Sequence, residues 1–320
     1  MPYYMINPKK ALLSLCEHGL CPFVSDKAFI KMRFKDVFGY NLNLDNPKTF
    51  SEKLQWLKLY DRNPYYSKLV DKYEVKKIVA GIIGNEYIIP TLGIWNSFDE
   101  IDIDSLPNQF VLKCTHDSGS IVICKDKSSF DVKAAKKKIN KGLKTDYYLH
   151  SREWPYKNVK PRIIAEKYMA NNMNHQRDKC SRRSINAGER THESINDYKL
   201  MCFNGKMKCS FVCTNRFSKK GLNVTFFDRQ WERLPFERKY PSDQNQIKKP
   251  SRYNEMISLA ERLSGSIPFV RIDFYEIQGN LYFGEMTFFP GSGYEIFDPF
   301  KWDYELGNWL VLDSIKGKYA

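Results

Sequence analysis

The stretch FVRIDFYEIQGNLYFGEMTFF, residues 269–289, decides the fold, because two runs rich in β-branched and aromatic residues flank a Gln-Gly-Asn segment. Such runs around a short turn predict a β-hairpin. A three-residue loop pairs Asp273 with Glu285. Two positions further out, Arg271 pairs with Thr287. Since side chains alternate between the two faces of a strand, these four polar side chains are predicted to share one face. The other face is predicted to be apolar and to consist of Val270, Ile272, Phe274, Met286 and Phe288.

Two carboxylates directly opposite each other on a hairpin have Cβ atoms roughly 5 Å apart, so they repel unless a cation lies between them. Mg²⁺ suits this place, because it binds one or two carboxylates together with phosphate oxygens. Arg271 on the same face can bind the same phosphates with its planar fork. The alternative is a surface hairpin in which Arg271 neutralises two exposed acids, and the hairpin alone does not decide between the two. The turn-forming residues 288–293, FFPGSG, follow directly and favour a loop that closes over a ligand.

A second candidate ligand site surrounds Lys113, at the end of the predicted strand 110–113. The small residues Ser118-Gly119-Ser120 follow it and precede a second apolar strand, 121–124. Backbone N–H groups of such a loop can approach phosphates closely, and the lysine adds a point charge. The sequence contains no Walker A motif, and an ordinary hairpin loop is the alternative.

The first part of the chain, to about residue 70, is predicted to be helical and basic. One helix begins near Thr49 or Ser51, whose hydroxyls suit an N-terminal cap. A second helix is predicted from residue 67 to about residue 83, where Gly84 ends it. The polar, Asn- and Arg-rich residues 170–194 are predicted to form a long loop, either a lid or disordered.

The rest of the chain is predicted to consist mainly of short strands. Asn204-Gly205, between alternating apolar residues, is a strong hairpin signal. The predicted strands outside the hairpin at 269–288 are 87–90, 110–113, 121–124, 161–169, 197–203, 206–213 and 222–227. The lysine-rich residues 133–144 fit the solvated face of a helix better than a nucleic-acid patch.

Composition narrows the function classes. The 320 residues are 42% hydrophobic and 28% charged, which excludes general disorder. The net charge of +14 would attract nucleic acid, a membrane surface or anionic small substrates, but no RNP, KH or zinc pattern supports a nucleic-acid-binding module. The eight cysteines form no CxxC pair, which favours a reduced, cytoplasmic compartment. No segment approaches the length of a transmembrane helix.

The candidate pieces occur in an order that resembles the ATP-grasp superfamily, with the spacing of D-alanine–D-alanine ligases. Asp71-Lys72 comes first, then the Lys113 strand with its Gly/Ser loop, then IIAEKYM at 163–169, and last the hairpin with RID and EMTFFPG. More closely, residues from about Phe50 to Trp309 resemble the TupA-like branch, named for teichuronopeptide synthesis and found among capsule and surface-polysaccharide genes. The resemblance implies an α+β fold in which two antiparallel-sheet lobes enclose ATP, with a helical N-terminal extension. The implied domains are residues 1–70 (helical region), 71–165 (first lobe) and 166–320 (second lobe).

The resemblance also implies a role for each matching residue. Arg271 and Lys113 are the expected catalytic cations, with Arg271 steadying the γ-phosphate and the acyl phosphate. The residues expected to hold ATP are Lys72 and Lys113 at the α- and β-phosphates, Ser118, Gly119 and Ser120 over the β- and γ-phosphates, Glu166, Lys167 and Met169 at adenine, and Asp197 at ribose. Magnesium is expected on Asp273, Glu285 and Thr287. The family usually has Asn where Thr287 stands, which makes a second metal ion less secure.

The implied reaction is carboxylate–amine ligation through an acyl phosphate, with ATP and Mg²⁺ as cofactors. The branch implies that an amino acid is joined to a uronic acid or peptide in surface-polysaccharide biosynthesis. The expected partner is therefore an anionic small molecule or glycan, which the basic surplus would attract. Peripheral association with a polysaccharide assembly system is a further expectation. Substrate contacts predicted from charge and position are Arg152, Trp154, Tyr156 and Arg216.

Two other enzyme classes compete with the ligase. Relatives are often labelled glycosyltransferases, and Asp102-Ile103-Asp104 is a DxD motif of the kind that holds a metal and a sugar nucleotide. This motif lies in a short polar link that is typical of a surface loop. The second competitor keeps the ATP-grasp fold and changes the reaction to a phosphoryl transfer.

Overall fold

A computed structural model describes residues 8–170, 197–215 and 221–312, and it confirms the predicted α+β class with antiparallel sheets. The α-helices in these ranges are α1 (Pro8–Glu17), α2 (Asp26–Phe38), α3 (Phe50–Tyr60), α4 (Tyr66–Val70), α5 (Glu74–Ile83), α6 (Val132–Leu143), α7 (Tyr147–Ser151), α8 (Tyr253–Ser264) and α9 (Lys301–Trp309). The strands are β1 (Thr91–Trp95), β2 (Phe110–Cys114), β3 (Ile121–Cys124), β4 (Ile163–Lys167), β5 (Asp197–Phe203), β6 (Lys206–Thr214), β7 (Asn223–Asp228), β8 (Glu237–Arg238), β9 (Phe269–Ile277), β10 (Asn280–Thr287) and β11 (Phe297–Asp298). None of these helices combines the length and the hydrophobicity needed to cross a bilayer.

The smaller of the two main sheets has the strand order β1-β4-β2-β3 and is antiparallel throughout. Its apolar face packs against α6 and forms a separate small core with Phe110, Leu112, Cys114, Ala135, Ile139, Ile163 and Ala165. The opposite face carries Lys113 on β2 and Glu166 on β4, because these positions alternate with the apolar ones. The predicted domain limits stay predictions; β4, which crosses the limit at 165/166, belongs to this sheet.

The larger sheet has the order β10-β9-β5-β6-β7. Helix α8 packs against β5, β6 and β9, so the buried side chains of this layer form the main core. The predicted apolar face of the hairpin is confirmed: Val270, Ile272, Phe274, Met286 and Phe288 are all buried. On the other face, β5 brings Lys199 opposite Asp273.

The register of the β9–β10 hairpin differs from the prediction at its turn. The turn has two residues, Gln278 and Gly279, both with positive φ, so Ile277 pairs with Asn280 rather than with Leu281. Two-residue turns of this kind match the twist of the flanking strands. An irregularity between Phe283 and Met286 then supplies one extra residue on β10. Beyond it the register returns to the predicted one, with Arg271 opposite Thr287.

In the helical region, two predicted helix ends are confirmed and one predicted helix is wrong. Thr49 caps α3 in a capping box with Glu52, as predicted. The single helix predicted from residue 67 to residue 83 is instead two helices, α4 and α5, separated at Asp71. The carboxylate of Asp71 accepts the backbone N–H groups of Tyr73 and Glu74 at 2.8 and 3.2 Å, which starts the second helix. Gly84 ends α5 as predicted.

Two further predictions concern residues 87–90 and 170–194. Residues 87–90 were predicted as a strand, but Tyr87 ends a single 3₁₀ turn and the strand begins at Thr91. Pro90 explains the shift, because it lacks the N–H that a strand interior needs. The predicted loop 170–194 lies outside the described residues except at its first position.

Candidate active site

The polar face of the four-stranded sheet is organised around Glu166. Lys113 Nζ lies 2.5 Å from Glu166 Oε2, and Lys76 from α5 forms an ion pair with Oε1. Lys76 also donates to the carbonyl of Ile89 at 2.8 Å, which fixes the strand entry beside it. Burial raises the pKa of Glu166, but the two lysines outweigh this and hold the pKa below its ordinary value. Glu166 is therefore an ionised carboxylate that positions Lys113.

Lys72, in the segment between α4 and α5, forms hydrogen bonds with the loop after β2. Its backbone N–H donates to Thr115 O at 3.1 Å, and its Nζ donates to Cys114 O at 3.0 Å and to Asp117 O. Burial lowers the pKa of Lys72, and the nearby carboxylates of Asp117 and Glu285 oppose that shift. Helix α4, which directly precedes this lysine, packs against β10, so Lys72 lies near the β9–β10 hairpin.

The tip of the loop after β2 is accessible. Ser118 and Gly119 are exposed and Ser120 is half-buried, whereas Thr115, His116 and Asp117 beneath them are buried. Gly119 has a φ of +108° and open space around it, a conformation that side chains rarely adopt. The tip can therefore present backbone N–H groups to an anion, as predicted from its small residues.

The hairpin gathers its charges around Arg271. The guanidinium donates to both oxygens of Asp273 at 2.7 Å and to Glu285 Oε1 at 2.7 Å. Thr287 Oγ1 donates to the same Glu285 oxygen at 3.3 Å. Asp273 is 1% exposed, while the side chain of Glu285 is 47% exposed. The four predicted residues thus form one site, with Asp273 at its base and Glu285 at its rim.

Lys199 is a member of this cluster that the sequence prediction missed. Its Nζ forms an ion pair with Asp273 Oδ2 and lies 2.6 Å from Asp197 Oδ2. Burial raises the pKa of Asp273, but Arg271 and Lys199 outweigh it and lower the pKa below its ordinary value. The available signal was the spacing of Asp197 and Lys199, which puts both on one face of β5.

The donor set fits a magnesium nucleotide. Hard carboxylate and hydroxyl oxygens are the ligands that Mg²⁺ prefers, and one or two carboxylates suffice when phosphates complete the shell. The hydrogen bonds of Glu285 to described residues fall on Oε1, which leaves Oε2 for a metal. Within the described ranges no three His, Cys, Asp or Glu side chains are arranged to hold a metal ion by themselves, so phosphate oxygens would have to complete the shell of a magnesium ion here.

Three tyrosines line the gap between the two sheets. Burial raises the pKa of Tyr147, and the charges of Glu153 and Glu285 add to this effect. Tyr156 packs edge-on against Tyr147, with ring centroids 4.6 Å apart. Burial raises the pKa of Tyr275 well above its ordinary value, and carboxylates of both sheets, Glu166 among them, add to the effect. Tyr147 and Tyr275 were not predicted, because neither belongs to a sequence motif.

Helix α3 contacts the segment that follows the hairpin, residues 290–293. Residues 291–293 all have positive φ, including Ser292 at 57°. Lys58 is fully buried and donates to Ser151 O at 2.9 Å and Ser292 O at 2.7 Å. Glu153 Oε1 accepts the hydroxyls of the same two serines at 2.9 and 2.8 Å. This set, which we call the Lys58 clamp (Lys58, Ser151, Glu153 and Ser292), joins the hairpin exit to the chain that carries Tyr156.

The predicted substrate contacts separate into different roles. Arg152 is buried, donates to Cys16 O at 3.2 Å and lies over the ring of Phe29, so these contacts hold it within the fold, and its substrate role stays a prediction. Trp154 is half-buried beneath Arg62, whose guanidinium lies 4.9 Å from its ring centroid. Among these residues Tyr156 is the one that reaches the gap. The remaining one, Arg216, lies outside the described residues.

The other predicted residues are placed as follows. Lys167 ends β4 with an exposed side chain, and Met169 beyond it is half-buried. Asp102 and Asp104 are exposed in a tight turn, where Asp102 Oδ1 accepts the N–H of Asp104 at 3.1 Å. This carboxylate caps its own turn, which supports the surface-loop interpretation of the DxD motif.

The fold thus combines two antiparallel sheets, with Lys113 on the smaller one and the carboxylates of Asp273 and Glu285 on the larger one. The sequence matches the model of the TupA-like ATP-grasp family over residues 52–180 and 185–311, and the chain belongs to this family.

Solved structures of ATP-grasp proteins are similar to this chain. The D-alanine–D-alanine ligase of Bacillus anthracis in complex with ATP has 15% identity and a TM-score of 0.41, over 78% of this chain and 68% of that one. The ATP-grasp ligase PsnB with a minimal precursor, Mg and ADP has 10% identity and a TM-score of 0.37, over 82% and 66%. The ADP complex of purK, N5-carboxyaminoimidazole ribonucleotide synthetase, has 13% identity and a TM-score of 0.40, over 74% and 50%. The chain thus spans between half and about two thirds of these proteins. No curated protein matches the sequence.

Proposed function

We propose that this chain is an ATP- and Mg²⁺-dependent ligase that joins a carboxylate to an amine through an acyl phosphate. Membership of the ATP-grasp family supports ATP-dependent ligation in general. The observation that carries the proposal is the cluster in which Arg271 binds both Asp273 and Glu285, while the charge of Glu285 also acts on Lys72, which lies between α4 and α5 and donates to the loop after β2. This arrangement supplies alternating charges on both sides of one gap, as a triphosphate with magnesium requires.

In the proposed complex, the nucleotide lies across the gap between the sheets. Lys72 and Lys113 hold the α- and β-phosphates, and the tip Ser118–Ser120 covers the β- and γ-phosphates. Glu166, with Lys167 and Met169, borders the adenine. Further along the same gap, Asp197 borders the ribose. Magnesium, when bound through Asp273, Glu285 and Thr287, supplies neutralising charge for the phosphates.

The chemistry needs no protein nucleophile. A carboxylate oxygen of the substrate attacks the γ-phosphorus, and the bond between this phosphorus and the β–γ bridging oxygen breaks to release ADP. The amine nitrogen then attacks the acyl carbon, and phosphate leaves with the electron pair of the broken C–O bond. Arg271 orients and stabilises the transferring group, because its fork can bind two oxygens at once. The rings of Tyr147 and Tyr156, which pack against each other, limit the access of water to the acyl phosphate.

The substrates that fit the proposal are an amino acid and a uronic acid or peptide of a surface polysaccharide. The net charge of +14 supports an anionic acceptor, since long-range attraction raises its local concentration. Tyr156 supports a ring-shaped or zwitterionic substrate at this end of the gap, where it is half-buried. We place the enzyme in the cytoplasm, where ATP is available.

The experiment is release of ADP and phosphate with Mg-ATP against a panel of amino acids and uronic acids. We expect phosphate to appear only when an amine is present, and Asp273→Asn to reduce turnover at least about 100-fold, the range found when one transition-state contact is lost. Asp104→Ala is the matched carboxylate control and should keep full activity. A phosphorylated product without amine would establish a phosphotransferase instead, and undiminished turnover by Asp273→Asn would refute the proposed site.

A further inference from the structure

The last turn of α1 and its connection to α2 carry three large apolar side chains that are exposed to solvent. Leu15 is 45% exposed, Leu20 65% and Phe23 80%. Single exposed apolar residues are normal, but three within nine residues of chain form a patch that needs an explanation. We call these three residues the apolar tip. They precede residue 52, where the match to the ATP-grasp family begins.

The apolar tip stands on a fixed base. Cys16 and Cys21, which alternate with its members along the chain, are buried in the main core. The N–H of Leu20 donates to Leu15 O at 3.0 Å, which closes the turn. Gly19 has positive φ, and a Cβ there would lie 3.0 Å from Leu149 of α7, so the turn packs closely on the body of the protein. The exposed side chains are therefore held outward by the fold.

Helix α2 adds positive charge beside the apolar tip. Lys27, Lys31 and Lys35 recur every four residues, so they lie along one face of the helix. All three are exposed, and within the described ranges none of them forms an ion pair. Asp36 is the exposed carboxylate of the same helix.

The other two carboxylates of this region, Asp26 and Glu17, form ion pairs with arginines of the protein. Asp26 forms ion pairs with Arg62 at 2.8 Å and Arg152 at 3.4 Å. Glu17 pairs with Arg33 at 3.6 Å. The outward surface is thus apolar at its tip and positive along its side. A protruding Phe and Leu next to a lysine stripe is the chemistry that binds the interface of a negatively charged bilayer.

From this combination we propose that the apolar tip and the lysine stripe of α2 (Lys27, Lys31 and Lys35) dock the protein on the surface of an anionic lipid bilayer. Phe23 and Leu20 enter the boundary between headgroups and acyl chains, and the lysines lie over the lipid phosphates. Each lysine near such a surface raises the partition coefficient about fivefold. The docking involves no nucleotide, so it holds or fails independently of the proposed ligase reaction.

The test is sedimentation of the full-length protein with vesicles, without nucleotide. One set contains phosphatidylglycerol and phosphatidylcholine, and the other contains phosphatidylcholine alone. We expect binding to the anionic vesicles that weakens as salt is raised, and much weaker binding to the neutral ones. Leu20→Ser with Phe23→Ser should lower the partition coefficient about tenfold or more. Ile296→Ser with Val311→Ser, which changes two apolar side chains of about 50% exposure elsewhere, should leave it unchanged.

A third variant separates charge from apolar insertion. Replacing the three lysines of the stripe by glutamine should weaken binding and flatten its salt dependence while Phe23 stays in place. The proposal is overturned if the unmodified protein does not bind anionic vesicles, or if the apolar-tip and control variants lose binding equally. It is also overturned if the unmodified protein is dimeric, binds no vesicles and becomes monomeric when Leu20 and Phe23 are changed. The last result would make the tip a contact between copies of this chain. Circular dichroism spectra matching the unmodified protein establish that each variant is folded.

Discussion

The pKa of Lys58 offers a stability test of the Lys58 clamp beside the β9–β10 hairpin. Burial lowers its pKa from the ordinary value near 10.5 to about 7, with partial opposition from Glu153. Between these two pH values the unfolded chain carries a proton on this lysine that the folded chain has lost. The unfolded state therefore binds more protons, and the free energy of unfolding rises with pH across this window. Below pH 7 both states are protonated, and this dependence disappears.

The size of the effect follows from the shift. Each pH unit inside the window contributes up to about 1.4 kcal/mol, so the step from pH 7 to pH 9 gives roughly 2 to 3 kcal/mol. Lys58→Met removes the titrating group. Burial already raises the pKa of Glu153, and loss of the lysine raises it further, which destabilises the variant as pH rises and adds to the difference with the same sign.

The assay is urea unfolding of the unmodified protein and of Lys58→Met at half-unit steps from pH 6 to pH 9. The quantity compared is the difference in the free energy of unfolding, which cancels the titration of the other groups. Lys53→Met is the matched control, because Lys53 lies on the same helix and also donates to two carbonyls, Gly307 O and Leu310 O, both at 2.8 Å. A difference for Lys58→Met that stays flat with pH, or that Lys53→Met reproduces, would refute the reasoning.

The remaining predictions concern the cluster around Asp273. Lys199→Met leaves two buried carboxylates short of a cation, so it should lower the free energy of unfolding by about 3 to 5 kcal/mol in urea unfolding. The control Lys208→Met changes an exposed lysine of β6 and should alter the free energy of unfolding by less than about 0.5 kcal/mol. Equal effects of the two variants would contradict a stabilising role of the Lys199–Asp273 ion pair. Gly284→Ala places a Cβ 3.1 Å from the ring of Tyr275 and 3.2 Å from the backbone oxygen of Asp273, which should cost about 1 to 3 kcal/mol and raise the magnesium concentration needed for half-maximal turnover. Unchanged magnesium dependence would show that the irregularity between Phe283 and Met286 does not position the carboxylate of Glu285.

The hairpin shows what could be predicted from sequence. Alternation alone assigned Arg271, Asp273 and Glu285 to one face and the apolar residues to the other, and the structure has both faces as predicted. The length of the turn could not be predicted, because a three-residue loop and a two-residue turn with a later extra residue both bring Arg271 opposite Thr287. The choice between them depends on local twist at Gln278 and Gly279, which a pattern of apolar residues does not encode.

Other differences have tertiary causes. The helix predicted through Asp71 is interrupted because Lys72 is bonded to the loop after β2, a contact between segments about 40 residues apart in sequence. Lys199 was missed because a single lysine in an apolar strand is compatible with an exposed position. Its partner, Asp273, became evident only when β5 was paired with β9. Arg152 was predicted from charge, and the depth of its burial depends on the packing of α1 and α2 around it.

The strand irregularity of β10 divides the hairpin into two parts with different pairing registers. The ligand-bearing end is set by its pairing and by the Lys58 clamp, whereas the turn at Gln278 and Gly279 lies beyond the extra residue and carries none of the proposed ligands. Residues 278–280 are exposed. A fluorophore attached through Gln278→Cys would therefore sit on the same rigid strand pair as the site without touching it. Such a label would report nucleotide binding at the proposed site, and six of the seven described native cysteines are buried and would compete little for the fluorophore.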